Sequence, residues 1–301
     1  MHPHLLRLKS SFPIISLALF AMPFQARSSD PASTEAPQIN GVEIVETRGE
    51  MTGLNVKDPT ILTEADFRQI RKLEGLKSLS FGLGLDDNGL KILAGLPVLE
   101  TFTSNGMKLT DEGAANFATF PMLRNLTFFH PGKEFEGSGL AALATLAQLE
   151  GLTVAGSAAF TDPGMAAIAT LPHLKSIRTW HTGITREGIK MLGGLKELKS
   201  LTVGQRLAMQ APAALDDETV AALAEFSSLE ALTLQTARLS LPALSKLKQL
   251  PNLKNLTLDN IEINEADIAT LKQELPAVEI KWTAPSGNAV KRIEGIFGPT
   301  N

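Results

Sequence analysis

The sequence predicts an α/β solenoid, in which short parallel strands stack into one sheet and a helix follows each strand. The first observation is an internal repeat, L-x-x-L-x-x-L-x-L, with Phe, Ile or Val in place of some leucines. The second apolar positions of its copies are Leu76, Leu99, Leu123, Leu149, Leu174, Leu198, Leu229 and Leu253. They are spaced by 23, 24, 26, 25, 24, 31 and 24 residues. Such a steady period is typical of repeat architectures.

Each copy combines a strand pattern with a helix pattern. The last two apolar residues of the repeat alternate with small or β-branched residues, as in a strand that faces a core on one side. A capping residue then precedes apolar residues at helical spacing, for example Thr161 before Met165 and Ile168. One unit cannot bury its own apolar stripe, so neighbouring units stack. Because helices are wider than strands, we expect the stack to curve with the sheet inside.

A short signature, L-T-D-x-G, recurs after three of the strands. It reads Leu109-Thr110-Asp111-Glu112-Gly113, Phe160-Thr161-Asp162-Pro163-Gly164 and Ile184-Thr185-Arg186-Glu187-Gly188. Over about residues 54–282 the repeats resemble the leucine-rich repeat family, and the signature is similar to that of its cysteine-containing subclass. The resemblance implies a right-handed horseshoe with a concave parallel sheet and convex helices.

Two features depart from that family. The family places Asn or Cys after the strand, where the side chain forms a ladder between repeats. Here these positions hold Met107, Ala158, Thr182, Ala237 and Ile261. We therefore expect some loops to be less rigid than in the family. The sequence also contains no F-box-like segment, so the resemblance implies no role as a ubiquitin-ligase adaptor.

Residues 1–28 place cationic residues before a 13-residue apolar run and then small residues, which is the order of a secretory signal peptide. A helix of that length spans only about 20 Å of a hydrocarbon core ~30 Å thick. We therefore predict a secreted or periplasmic protein with no membrane anchor in the mature chain. The other predicted segments are a flexible leader over 29–41, an N-terminal cap over 42–62, the repeat domain over 63–282 and a flexible tail over 283–301.

Composition excludes several classes of function. Lys and Arg number 28 against 32 for Asp and Glu, a net charge of -4, which argues against nucleic-acid binding through the phosphate backbone. The chain has no cysteine. This excludes disulfides, thiolate zinc sites, cysteine nucleophiles and a lipoprotein anchor.

The sequence offers no constellation of catalytic groups. His130 and His181 occupy equivalent positions two repeats apart, so their backbones should lie roughly 10 Å apart. No third ligand accompanies them, and G-x-S-x-G, P-loop, Rossmann and H-E-x-x-H motifs are absent. We predict a non-enzymatic protein that carries neither a metal nor a cofactor.

Side chains alternate across a strand, so the residues between the buried leucines should face the hollow of the horseshoe. The middle residues of the eight copies are Ser80, Thr103, Thr127, Thr153, Arg178, Thr202, Thr233 and Thr257. Seven carry hydroxyls and suit a sheet, whereas Arg178 needs another explanation. Farther along two strands come the pairs Phe129-His130 and Trp180-His181, on either side of Ala155-Gly156. We expect a slot about 10 Å wide between them.

The predicted ligand-binding residues are Phe129, His130, Arg178, Trp180 and His181, with Asn105, Gln205 and Gln235 beside them. The predicted ligand is a protein or peptide. The alternatives are a glycan of the cell envelope, stacked on the aromatic rings, and a structural spacer that binds through its ends. Phe129 and Trp180 packing on neighbouring loops is a further alternative. Because free histidine has a pKa near 6.5, acidification should strengthen binding of a carboxylate-bearing partner.

Overall fold

The computed structural model describes residue 39 and residues 41–47, 50–207 and 212–299. The predicted signal peptide over 1–28, and the leader up to residue 38, lie outside these ranges. Ile39, within the predicted leader, is buried, and its carbonyl oxygen accepts a hydrogen bond from the backbone of Val42. The end of that segment therefore packs on the repeat domain and is not loose.

The described strands form one sheet of eleven strands in chain order. The strands are β1 (Val42–Thr47), β2 (Glu50–Val56), β3 (Ser78–Phe81), β4 (Thr101–Asn105), β5 (Asn125–Phe129), β6 (Gly151–Ala155), β7 (Ser176–Trp180), β8 (Ser200–Gly204), β9 (Ala231–Arg238), β10 (Asn255–Glu262) and β11 (Glu279–Trp282). Strands β1 and β2 pair antiparallel, and the other neighbours pair parallel. A hairpin thus lies within the predicted N-terminal cap, and β2 joins it to the first repeat.

Helices connect successive parallel strands. The α-helices are α1 (Glu64–Arg71), α2 (Asp87–Leu93), α3 (Asp111–Ala114), α4 (Asp162–Ile168), α5 (Arg186–Met191), α6 (Asp217–Leu223), α7 (Leu241–Leu244), α8 (Glu265–Glu274) and α9 (Asn288–Phe297). Short 3-10 helices cover Pro59–Ile61, Ala115–Thr119, Ser138–Thr145, Leu192–Gly194 and Ser245–Gln249. Three predicted caps act at helix starts: Thr110, Asp216 and Asn264 accept bonds from backbone N–H groups in the first turn. The side chain of Thr161, also predicted as a cap, forms no such bond at the start of α4.

The core runs between the sheet and the helices. One register row of buried side chains comprises Leu79, Phe102, Leu126, Leu152, Ile177, Leu201, Leu232 and Leu256. In the first repeats a chain of ring contacts links Phe67, Phe81, Phe102, Phe117, Phe128, Phe135 and Phe160, with centroids 4.7 to 6.1 Å apart. Aromatic contacts at these distances stabilise the packing between successive repeats.

Aspartates in the first helical turns form the bonds between repeats. Asp162 accepts hydrogen bonds from the backbone N–H of Thr185 at 2.8 Å and from its hydroxyl at 2.6 Å. Asp87 binds Thr110 in the same way, three repeats earlier. Asp217 accepts from the backbone of Ser240. The position after the strand carries no such ladder, and these loops are tied instead by aspartates at the helix N-termini.

Arg186 stands where two other copies of the signature have aspartate. Its guanidinium forms ion pairs with Asp216 and Glu218 in the following repeat. The hydrogen bond from Arg186 lowers the pKa of Asp216 against the opposing effect of burial. A polar contact between neighbouring repeats is therefore kept where their spacing is longest, although position 186 carries a positive charge instead of the negative charge of aspartate.

The last described residues differ from the predicted flexible tail over 283–301. Helix α9 folds back onto the repeats, with Ile293 fully buried. Arg238 of β9 donates hydrogen bonds to the carbonyl oxygens of Phe297 and Gly298 at 3.2 and 2.9 Å. An arginine in this position satisfies carbonyl groups at the helix C-terminus. Residues 288–297 are thus a packed helix, not a loose segment.

Replacing Asp162 with Ala should lower the free energy of unfolding by about 1–3 kcal/mol, because the Thr185 N–H and hydroxyl lose a charged acceptor. Glu187→Gln is the matched control, since this neighbouring carboxylate is exposed and its pair with Lys190 contributes little. Urea unfolding of the variants measures the difference. Equal stabilities of the two variants would contradict a structural role for the aspartates.

A second core row contains an unpaired hydroxyl. Thr179 is buried beside Val203 in register, and its Oγ1 has no hydrogen-bond partner. Burying such a group costs free energy, so Thr179→Val should raise the free energy of unfolding by roughly 1 kcal/mol. The reciprocal change, Val203→Thr, should lower it by a similar amount. If both variants lose stability in urea, a bond to Thr179 must exist and the prediction is wrong.

Candidate functional site

The predicted row of hydroxyl residues lies in register across the sheet. Pairing places Thr153, Arg178 and Thr202 side by side on β6, β7 and β8, and the row continues in both directions to Ser80 and Thr257. Thr153 and Thr202 are only 7% and 8% exposed, whereas Arg178 is exposed. Arg178 is thus the residue that projects from this part of the row.

Phe129 and Trp180 contact each other, so the predicted slot between them is wrong. Ala155 pairs with both residues in register and is 2% exposed. Above it, the two ring centroids are 6.2 Å apart at an interplanar angle of 56°. Strand spacing gives the distance between backbones, but the rings lean toward each other over the small alanine side chain. The two side chains therefore form one continuous aromatic surface and leave no open slot between them.

Arg178 completes this group of side chains. The carbon of its guanidinium lies 5.3 Å from the centroid of the Trp180 ring. At this distance a cation is attracted to the face of an indole. We call Phe129, Arg178 and Trp180 the aromatic cluster. Within it, Arg178 interrupts the row of hydroxyl residues that runs from Ser80 to Thr257.

A depression of about 190 Å³ lies on the other side of Trp180. Gly204, at the end of β8, is part of its lining, together with His181, Gln235 and Asp259. A Cβ atom on Gly204 would lie 2.5 Å from the Cβ of Trp180. Glycine at this position therefore lets Trp180 pack closely against β8. The open space lies one strand away from the predicted slot.

The three predicted polar residues have different surroundings. Gln205 is 1% exposed, and its side chain binds the backbone of Ala214 and Leu215. These bonds anchor the insert between β8 and α6, so the amide is not free to bind a ligand as predicted, although Gln205 belongs to the lining of the depression. Gln235 is half-buried in the depression and donates to Asp259 at 3.3 Å. Asn105 is exposed, and its Oδ1 lies 2.9 Å from Nδ1 of His130.

His130 and His181 end their strands in the left-handed backbone conformation, with φ of 47° and 52°. Gly106 and Gly156 adopt the same conformation, each one repeat before a histidine. The ring of His130 lies on the backbone of Gly156, where an added Cβ would be 2.5 Å from Cδ2. The histidines are therefore held by the turn that closes each strand. They border the aromatic cluster and do not enclose a slot.

His181 resists protonation. Burial lowers its pKa, and the positive charges of Arg292 on α9 and of His130 lower it further. Folded His181 thus stays neutral over part of the range in which an unperturbed histidine gains charge. The expected strengthening of carboxylate binding at acidic pH does not follow for this residue.

No group of three or more His, Cys, Asp or Glu residues in the described ranges is placed to hold a metal ion. No helix in these ranges has the length and apolar character needed to cross a membrane.

The sequence matches no protein-family model and no curated protein. Among solved structures, an internalin from Listeria monocytogenes superposes with a TM-score of 0.52 at 17% identity, covering 81% of this chain and 72% of its own. An internalin C2 from the same species gives 0.45 at 21% identity over 74% and 84%. A leucine-rich repeat protein of Leptospira interrogans gives 0.43 at 19% over 71% and 51%. The fold is an α/β leucine-rich repeat solenoid, and the likeness to the cysteine-containing subclass is limited to the L-T-D-x-G signature.

The lowered pKa of His181 predicts that acid destabilises the fold. As the pH falls below about 6.5, the unfolded chain binds a proton that folded His181 does not, so stability is lost on acidification. Between about pH 7.5 and 5.5, His181→Asn should lose less stability than wild type, since asparagine tolerates the positive φ. His173→Asn is the control, at a half-buried turn position where the ring lies 3.3 Å from a Glu197 oxygen. Urea midpoints at both pH values test this, and parallel losses in wild type and His181→Asn would refute it.

Proposed function

We propose that this chain is a non-enzymatic recognition module that binds a protein or peptide on the hydroxyl-lined face of its sheet. The observation that carries the proposal is the aromatic cluster. Tryptophan, arginine and phenylalanine are residues enriched where interfaces gain most of their binding energy. Here they stand together, partly exposed: Arg178 lies in the row of hydroxyl residues, and Phe129 and Trp180 lie in the adjacent row.

The rigidity of the sheet around the aromatic cluster favours its use as a binding surface. Register pairing fixes the backbones of β5, β6 and β7, and the residues beneath Phe129 and Trp180 are buried. Little conformational entropy is then lost when a partner binds, which favours affinity. Side chains placed on strands are also positioned more accurately than side chains on loops.

We further propose that the protein is exported, acting outside the cell or in the periplasm. This rests on the order of cationic, apolar and small residues over 1–28. A partner would then be a protein or peptide of the cell envelope or of the surrounding medium.

The glycan alternative requires an open aromatic face for stacking. Arg178 lies over the Trp180 ring, and Phe129 contacts that ring at a tilt. A sugar could stack there only after displacing the guanidinium. The arrangement therefore favours a partner that contacts the cluster through side chains.

Trp180→Ala should weaken binding of the natural partner about tenfold or more, because it removes the centre of the cluster. The full-length protein is used to capture partners from the envelope and medium of the cells that make it. Affinity for a captured, purified partner is then compared with that of the variant. Thr233→Ala, in the row of Arg178 but outside the cluster, should bind as wild type.

Unchanged affinity in Trp180→Ala, with the fold intact, would place the binding site elsewhere. The glycan alternative gives a different result. The chain has two tryptophans, so Trp282→Phe leaves Trp180 as the fluorescent reporter. A saturable change in its emission on adding a cell-wall polysaccharide would favour a sugar ligand over a protein.

A further inference from the structure

Arg178 differs from the other arginines of the described ranges in having no acceptor. The others form an ion pair or a hydrogen bond to a carbonyl; these are Arg68, Arg71, Arg124, Arg186, Arg206, Arg238 and Arg292. For Arg178, the structure shows only the contact with Trp180. Its guanidinium carries five N–H donors, which must bind water or a partner.

Nearby side chains within the described ranges do not neutralise Arg178. In register it stands between Thr153 and Thr202, and Ser176 precedes it on the same face of β7. Asp259, across the depression, already accepts hydrogen bonds from Gln235 and from two other side chains. The side chains that flank Arg178 in its row and on its own strand are therefore polar and uncharged.

Carboxylates at the amino-terminal edge of the sheet are already paired with lysines. Glu150 lies 2.8 Å from Lys175, and Glu230 lies 3.0 and 2.7 Å from Lys199 and Lys254. Hydrogen bonds from these two lysines lower the pKa of Glu230 to about 2. Because these acids are engaged elsewhere, none of them pairs with Arg178.

Trp180 holds the guanidinium in one place. The guanidinium carbon lies over the indole ring at 5.3 Å, and two parallel N–H groups on one edge of an arginine match the two oxygens of a carboxylate. The stacking also limits the entropy lost when the anion binds. The side chains of the flanking residues Thr153 and Thr202 are short and buried, so their hydroxyl groups do not occupy the N–H groups on this edge of Arg178.

We propose that Arg178 binds the side-chain carboxylate of an acidic peptide segment laid across the hydroxyl-lined face, with an adjacent apolar side chain against Phe129 and Trp180. This rests on the proposed function and adds the chemical class of the partner. In an extended peptide, side chains on one face recur about every 6.8 Å, so the next one reaches the depression over Gly204. Asp259 disfavours a second acid there. The recognised segment thus has one aspartate or glutamate at this face, next to an apolar residue.

The assignment is tested with a random peptide library displayed on phage and selected on the full-length protein. Selected sequences are synthesised with amidated C-termini, so that only side chains supply carboxylates. We expect a fixed aspartate or glutamate, and an affinity loss of roughly 10- to 100-fold on its change to asparagine or glutamine. Arg178→Gln should cause a similar loss without adding to it, whereas Arg124→Gln, at the sheet edge, should cause none.

The outcomes separate the two proposals. If no selected peptide loses affinity on Trp180→Ala, the proposed function fails and the assignment fails with it. If peptides depend on Trp180 but carry no fixed acid, or bind Arg178→Gln as tightly as wild type, only the carboxylate assignment is wrong. If binding disappears when the peptide C-terminus is amidated, Arg178 binds the terminal carboxylate of the peptide, and the assignment to a side-chain carboxylate is wrong.

Discussion

Every feature of this molecule depends on the fact that a unit of about 24 residues cannot bury its own apolar stripe. Units must therefore stack in register, so that Leu152, Ile177 and Leu201 form one continuous row. The same register brings Thr153, Arg178 and Thr202 together, although each is 24 or 25 residues from the next in sequence. The requirement for a core thus also creates a polar face whose side chains are rigidly spaced.

The backbone conformation at the strand ends explains why some residues occur there that would otherwise be assigned to a binding site. Each strand around the cluster ends in a left-handed residue whose N–H binds a carbonyl of the next repeat, as His130 binds Ala155 and His181 binds Gln205. A non-glycine residue in this conformation costs about 1–2 kcal/mol. Histidine tolerates it better than most residues. The primary role of the two histidines is therefore to form the turns that end their strands. The lowered pKa of His181 follows from its burial in that turn.

The features that recur in every repeat could be predicted from the sequence. Strands, caps and the row through Arg178 followed from periodicity, since every copy meets the same environment. Features that depend on one side chain or one long-range contact could not be predicted. The 6.2 Å contact between Phe129 and Trp180 depends on how the rings lean over Ala155. Helix α9 depends on Ile293 and Arg238, whose contacts cross several strands. Neither has a periodic signal.

The longest spacing between repeats, 31 residues, shapes the site without contacting a ligand. Its extra residues follow β8, and Gln205 fixes their end by binding the backbone of Ala214 and Leu215. With this side chain turned into the protein and Gly204 carrying none, β8 presents no large side chain beside Trp180. The depression, lined by residues of β7 to β10 and the turns that follow, is the consequence. An insertion that the fold had to accommodate therefore left room next to the aromatic cluster, where a partner's side chain can enter.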